Sequence, residues 1–280
     1  MNVFYKKKSL QDFLTSLNDN ILIGFVPTMG ALHKGHLSLI EKARAENDCI
    51  VVSIFVNPTQ FDNKDDLLKY PKNAEKDIAF LEKSGCDVVF IPDANEVYNK
   101  KIKASVFDFD GLEFEMEGKH RKGHFDGVGT IVKKFLEIIK PHKAYFGEKD
   151  FQQLQIVKKL VQKQELPVEI IACSIYREED GLAMSSRNVR LTDIQRKEAS
   201  FIYTILKKAK KRFKKNSIQE VKIWVEEQFK KNTILELEYF EIADIQTLKS
   251  ANNKNDKTSY RAFIAVFVGG VRLIDNIALN

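Results

Sequence analysis

Apolar and polar positions alternate in blocks that predict strands and helices in turn through the first two thirds of the chain. Ile21-Leu22-Ile23-Gly24-Phe25-Val26 is a short apolar, β-branched run with the make-up of a buried parallel strand. After it, Leu37, Ile40, Ala43 and Arg44 fall on one helical stripe, Glu41, Lys42 and Glu46 lie largely outside it, and Asn47-Asp48 close the segment before a second apolar run at 49–56. Strand, loop, helix and strand make one βαβ unit. Upstream, residues 9–17 read as a helix capped by Ser9, with Leu10, Phe13, Leu14 and Leu17 buried. Downstream, the pattern predicts a helix over 73–84 with Ala74, Ile78 and Leu81 inside, stopped by Gly85 before a strand at 87–92. Residues 106–110 alternate like an edge strand, 133–139 read as a helix, and further strands are expected near 141–146 and over 168–175.

From Thr192 the character changes. Thr192 is placed to cap a long helix with Ala199, Ile202, Ile205, Leu206 and Ala209 on its apolar side. Its end is basic, from Lys207 to Lys215, which suits a helix C-terminus and reads as a solvated face rather than an RNA site. A helix at about 218–230, a period-two strand at 235–242, and a hairpin across Gly269-Gly270 complete the chain. The expected fold is α/β, a Rossmann-like doubly wound parallel sheet over residues 1–176, followed by a smaller α+β domain over 177–280.

Composition narrows this only modestly. With 280 residues, 44% of them hydrophobic and 30% charged, the chain can bury a real core, so disorder is not expected. A net charge of +6 suits an anionic ligand but is far from a nucleic-acid signature. Cys49, Cys86 and Cys173 are odd in number, widely spaced and set in apolar runs, as buried thiols of a reducing compartment are. Lys6-Lys7-Lys8 is not followed by the apolar core of a signal peptide, and no apolar run approaches a membrane span, so the cytoplasm is expected, without membrane partners.

The chemistry gathers in the turns after the strands. Between the first strand and its helix, Gly30 and Gly35 allow a sharp turn and close approach of a ligand, and His33 and His36 stand three apart at the helix start. Unpaired amides and the helix dipole make such a place receptive to phosphate, and two imidazoles can donate to one polyphosphate. The plain alternative is a loop with one surface and one packed histidine. Zinc is disfavoured because its helical motif spaces histidines four apart around a glutamate, and no third ligand lies nearby. After the second strand, Asn57 and Gln60 sit at the sheet edge where parallel sheets bind ligands, although turn residues of this kind also serve structure alone. The glycines of 118–129 do not make a dinucleotide fingerprint, since no strand runs into them. Gly147-Glu148-Lys149-Asp150 repeats the opening logic: Lys149 is a compact cation for a phosphate, and Asp150 can cap a helix. Residues 177–188 form a polar loop with two hydroxyls and a guanidinium, Ser185-Ser186-Arg187, able to wrap a triphosphate.

Pro27-Thr28-Met29-Gly30-Ala31-Leu32-His33-Lys34-Gly35-His36 resembles the HIGH-type motif of the adenylate-forming nucleotidyltransferase superfamily, in the form used by the pantoate:beta-alanine ligase family. Four later blocks match in order: Phe55 to Phe61, Asp65 to Lys72, Gly118 to Val132, and Gly147 to Gln153. Met184-Ser185-Ser186-Arg187 is similar to the family's counterpart of the mobile KMSKS loop of class I aminoacyl-tRNA synthetases. Lys72 stands where the family more usually has arginine, Lys122 where it has proline, and Tyr176 where a small residue contacts adenine.

The resemblance implies ATP contacts from Met29, Gly30, Ala31, Leu32, His33, Lys34, Gly35 and His36, from Gly147, Glu148, Lys149 and Asp150, and from Tyr176, Met184, Ser185, Ser186 and Arg187. It implies catalytic roles for His36, His33, Lys149 and Arg187, and substrate contacts from Gln60 and Gln153. No protein metal site is implied; Mg²⁺ comes with ATP as co-substrate. Asp66 could reach such an ion, but a charged surface turn is the preferred reading, since Mg²⁺ is often held mainly by phosphate and water. His124 and Arg121 are candidates for walling the substrate pocket, with a structural role as the alternative. Pantoate and beta-alanine are the implied substrates, a homodimer the implied assembly, and a pantoyl adenylate the implied intermediate. A nucleotidyltransferase for a phosphorylated acceptor, a synthetase-like RNA-binding module and a noncatalytic ATP-binding protein remain the alternatives.

Overall fold

The computed structural model describes residues 1–62, 64–98 and 101–280. In chain order the N-terminal part runs β1 (Asn2–Phe4), α1 (Lys7–Thr15), β2 (Ile23–Thr28), α2 (Lys34–Glu46), β3 (Cys49–Ile54), α3 (Lys64–Lys69), α4 (Ala74–Glu82), β4 (Val88–Phe90) and α5 (Ala94–Tyr98). It continues with α6 (Met116–His120), α7 (His124–Ile139), β5 (Lys143–Gly147), α8 (Phe151–Lys163) and β6 (Glu169–Cys173). Among the described residues, six strands form a parallel sheet in the order β1-β4-β3-β2-β5-β6.

The strands are apolar on both faces because helices cover both. Along β2, Phe25 points to one side, where its ring meets Phe135 of α7 edge-on at 6.1 Å. Val26 points to the other, into a cluster with Ile40 and Ala43 of α2. Chain order reverses around β2, which lies between β3 and β5, so the carboxyl ends of β2 and β5 border the crevice where such sheets take ligands.

The remainder comprises α9 (Asp193–Ala199), α10 (Phe201–Phe213), α11 (Ile218–Lys230), β7 (Leu235–Asp244), β8 (Tyr260–Val268) and β9 (Val271–Ala278). The last three strands form an antiparallel sheet, with β8 and β9 joined across Gly269-Gly270. Helices α10 and α11 pack on it around Ile205, Leu206, Val221, Val225, Ile264 and Val266. The basic end of α10 is mostly exposed, and Arg212 lies over the Trp224 ring at 4.5 Å.

Several expectations need correction. Asn2–Phe4 is a strand that the reading missed, three residues being too few to display a period. Helix α1 starts at Lys7, with Lys6 in the cap position, so Ser9 lies inside the helix rather than capping it. Residues 106–110 form no strand: Phe107 N donates to Asp126 and Phe109 N to Glu113, and side chains thus replace a ladder. Ala74 is exposed, and Asp77, one turn further on, is buried in its place. The long helix after Thr192 is two helices, α9 and α10, meeting at Ser200; the Thr192 cap is present, reciprocated by Gln195.

The largest difference is at α7, which begins at His124 rather than 133 and so carries Gly127 and Gly129 inside it. Gly127 is there because α7 crosses the turn after β3 at backbone distance: a Cβ would lie 2.3 Å from the Thr59 carbonyl oxygen and 2.7 Å from the Gln60 Cα. Gly127→Ala is expected to destabilise the fold by about 1–3 kcal/mol, since neither backbone can yield a methyl's width. Urea denaturation measures this, and an unchanged midpoint would contradict such close packing.

Candidate active site

The cleft at the carboxyl ends of β2 and β5 has a cavity volume of about 220 Å³. The turn after β2 enters it first. Gly30 has φ +80° and Ala31 φ +51°, so the chain turns through the left-handed region before α2 begins. His33 is the N-cap of α2: its Nδ1 accepts from Gly35 N at 3.1 Å, and His36 Nδ1 accepts from His33 N at 3.3 Å. Two histidines thus form a reciprocal cap of the kind that serine and glutamate usually make. Their rings lie 4.1 Å apart.

This bonding decides the tautomers. A ring nitrogen that accepts from an amide carries no proton, so both imidazoles hold theirs on Nε2. Their charge state follows from the surroundings. Burial, then the nearby Lys149 ammonium, lower the pKa of His33 to about 4. Burial, with His33 and Lys149 adding to it, holds His36 well below its ordinary value. Both are neutral donors near pH 7. His124 is the opposite tautomer: its Nδ1 donates to the Gln60 carbonyl at 2.7 Å, leaving Nε2 to accept from Arg121 at 3.1 Å.

The second wall comes from the turn after β5. Lys149 and Asp150 follow Gly147 at the strand end and line the cleft, with Lys149 Nζ 3.7 Å from Asp150 Oδ1. Asp150 occupies the N-cap of α8 without its side chain making a cap bond, contrary to one option read from the sequence. The turn is held from behind by β9. The buried Asn276 amide donates to the carbonyls of Glu148 at 2.8 Å and Lys149 at 2.9 Å. Its neighbour Asp275 receives both ends of the Arg177 guanidinium, at 2.7 and 2.9 Å.

Gln60 and Gln153 line the deeper end, beside Val128, Ile131, Val132 and Phe135 of α7. Asn57, 1% exposed, orients the Gln60 amide by donating to its Oε1 at 3.1 Å, and Gln60 Nε2 donates to the Met29 thioether at 2.9 Å. His124 and Arg121 are not cleft walls; they grip the Gln60 backbone carbonyl from outside.

The loop from Arg177 to Arg187 closes the opening. Ser186 Oγ and Tyr70 Oη are 3.1 Å apart, and the Arg187 guanidinium lies 5.8 Å from the Tyr70 ring centre. Arg187 donates to Asp66 Oδ2 at 2.7 Å and Arg190 to Oδ1 at 3.0 Å. Burial alone would raise the Asp66 carboxyl pKa, but the two guanidiniums outweigh it and hold the group below its usual range. Asp66 therefore sits in helix α3 facing arginines, not in a surface turn.

Of the residues singled out in the sequence, Met29, His33, Gly35, His36, Gln60, Gly147 and Lys149 line this one cleft. So do Asp150, Gln153, Tyr176, Met184, Ser185, Ser186 and Arg187. Gly30, Ala31, Leu32, Lys34 and Glu148 do not: Lys34 is exposed, and Glu148 faces Arg261 at 3.4 Å. The α7 side chains Val128, Ile131 and Val132 were missed because the helix was started too late. Among the described residues no group of three or more His, Cys, Asp or Glu side chains could hold a metal ion, and no helix is long and apolar enough to cross a membrane.

The family described as pantoate-beta-alanine ligase matches residues 2–278. The pantothenate synthetase of Christiangramia forsetii is 57% identical, and that of Flavobacterium psychrophilum 53%, each over the whole of both chains. Among solved structures, the pantothenate synthetase of Thermus thermophilus superposes with a TM-score of 0.92 at 37% identity, covering 100% of this chain and 99% of that one. A Francisella tularensis pantoate-beta-alanine ligase complexed with beta-gamma ATP and beta-alanine gives 0.83 at 36% identity, covering 100% and 98%. A parallel sheet with its histidine-capped helix, an antiparallel sheet behind it and full-length likeness agree: the chain belongs to the pantoate-beta-alanine ligase family.

Proposed function

We propose that this protein condenses pantoate with beta-alanine in two steps that share one cleft. The pantoate carboxylate attacks the α-phosphorus of ATP, forming pantoyl adenylate and releasing pyrophosphate. The beta-alanine amine then attacks the acyl carbon, losing a proton and expelling AMP to give pantothenate. The observation that carries this reading is the meeting of two neutral Nε2–H histidines with the Lys149 ammonium in a cleft that also presents paired glutamines.

Displacement at phosphorus needs alignment and relief of growing negative charge more than it needs a protein nucleophile. His33, His36 and Lys149 are donors for the phosphates at the start of α2, with Ser185, Ser186 and Arg187 on the covering loop. Gln60 and Gln153 orient the carboxylate and hydroxyls of pantoate, while Val128, Ile131, Val132 and Phe135 offer an apolar face to its two methyl groups. Residues 1–176 form the nucleotide- and pantoate-binding unit, and 177–280 the smaller unit carrying the loop. Backbone contacts to ATP from Gly30 to Lys34 and from Glu148 remain part of the reading on the strength of the motif resemblance. Mg²⁺ enters with ATP: among the described residues the cleft is lined by one carboxylate, Asp150, which suits an ion held mainly by phosphate oxygens and water. The relative complexed with beta-gamma ATP and beta-alanine supports those co-substrates, the family resemblance supports a homodimer, and the buried thiols Cys49, Cys86 and Cys173 suit a reducing cytoplasm.

The direct test is pantoate-dependent exchange of labelled pyrophosphate into ATP with magnesium present and beta-alanine withheld. Exchange is expected, and its absence in folded protein would point to a different acceptor. His36→Ala is expected to lower exchange about a hundredfold or more while the fold survives; near-normal turnover would remove the role given to His36.

The histidine tautomers give a second, independent check. With its pKa at about 4 in the fold against 6.5 when unfolded, His33 takes up a proton later in the folded state as pH falls. The unfolded chain therefore binds more protons between those values, so stability is full above pH 6.5 and declines toward pH 4. Nitrogen-detected NMR should show His33 and His36 as neutral Nε2–H tautomers at pH 7, with His33 titrating at about 4, and His124 as the Nδ1–H form. Titration of His33 near 6.5 would contradict the assignment.

A further inference from the structure

The turn that carries the two histidines spends five consecutive or near-consecutive amides on side chains. Thr28 takes the amide of Gly30, His36 that of His33, His33 that of Gly35, and the remaining pair, Ala31 N and Leu32 N, goes to the carboxylate of Asp77 at 2.9 and 2.8 Å. Asp77 belongs to a different element, α4, and is only 4% exposed. It lies outside the cleft lining, so it reaches the site through the backbone alone.

We propose that Asp77 is a positioning residue for adenylation: its carboxylate holds residues 30–32 in the left-handed turn that aims His33 and His36 into the cleft. This rests on the reading of the cleft as the adenylation site. Three features make the carboxylate specific to the task. Ala31, which has a side chain, is kept at φ +51°, a conformation that L residues enter at a cost and hold only when their surroundings fix it. Two adjacent amides donate to the two different oxygens of one group, an arrangement that a carboxylate satisfies and a carboxamide, with one acceptor oxygen, cannot reproduce unshifted. The space above Gly30 is filled by the same group, because a Cβ there would stand 2.8 Å from Asp77 Oδ2. The glycine and the aspartate are shaped to each other. Without the carboxylate the turn relaxes toward ordinary backbone angles, and the histidine cap one residue later turns with it.

Asp77→Asn keeps size and polarity but turns an NH₂ toward one of the two amides. The measurements are pyrophosphate exchange, aminolysis of supplied pantoyl adenylate by beta-alanine, and thermal melting of the full chain. Asp77→Asn is expected to melt cooperatively, to lose about a hundredfold in the maximal exchange rate, and to change the aminolysis rate by less than about threefold, because attack of the amine on the acyl carbon depends less on where the histidines point. Asp77→Ser, which removes the carboxylate but keeps a small polar side chain, should reproduce the split and carries the test if Asp77→Asn fails to fold. Exchange within about twofold of wild type in the variants, or a parallel fall of both half-reactions, would overturn the assignment. Absence of exchange in the wild-type protein would instead strike at the adenylation reading itself, so the two failures are told apart.

Discussion

The pairing of β2 with β5 is the constraint on which the site depends. Parallel strands in register end together, and the alignment of Gly24 with Lys143 and Phe25 with Ala144 places the turn after β2 beside the turn after β5. One turn leads into a helix capped by two histidines; the other carries an ammonium. Neither holds much of a site alone. Side by side, they lower the proton affinity of two histidines and gather donors in one small volume. The covering loop and the substrate end, with Gln60 and α7, are arranged around that junction.

The position of the second sheet relative to the first is set by buried polar links rather than by apolar contact alone. Arg272 of β9 pairs through both nitrogens with Glu117 of α6 at 2.7 Å, and Tyr239 of β7 donates to the same carboxylate at 2.7 Å. Burial would raise the Glu117 pKa, but Arg272 outweighs it and the group falls to about 2. Desolvating such a pair offsets most of its attraction, so its main contribution is to orientation: moving one sheet against the other would break the pair and strand a buried charge. Asn276 applies the same logic at the Lys149 turn, where two carbonyls fit one amide group.

Much of this was legible in the sequence, for physical reasons that differ by region. Strands β2 and β3 announced themselves because both faces are covered, leaving unbroken apolar runs; helix α11 did so because a serine cap and an apolar stripe coincide from Ile218 to Lys230. The donor cluster of His33, His36 and Lys149 was visible as residue types at strand ends. What stayed hidden depends on contacts distant in sequence. Glycine normally argues against a helix, so Gly127 and Gly129 concealed the first turns of α7; the crossing with Thr59 explains the first, and the Phe107 and Phe109 rings packed on the helix explain the second. Asp77 has no part in the reading of residues 73–84, which rests on Ala74, Ile78 and Leu81. Its position three residues after Ala74 and four before Leu81, on the apolar stripe, was the available signal, and an acid on that stripe has to answer to something inside.

Arg187 is already bound before any ligand arrives. Asp66 holds it in the covering loop, with Arg190 sharing the carboxylate and the Tyr70 ring nearby. An incoming anion engages that guanidinium only by exchange, displacing or sharing an internal rival of the same sign. Affinity at this point is therefore a difference between two charge-assisted bonds rather than the full strength of one. The guanidinium is thus held in place by a carboxylate rather than left to water, and whatever approaches it meets a position already fixed and a charge already shared.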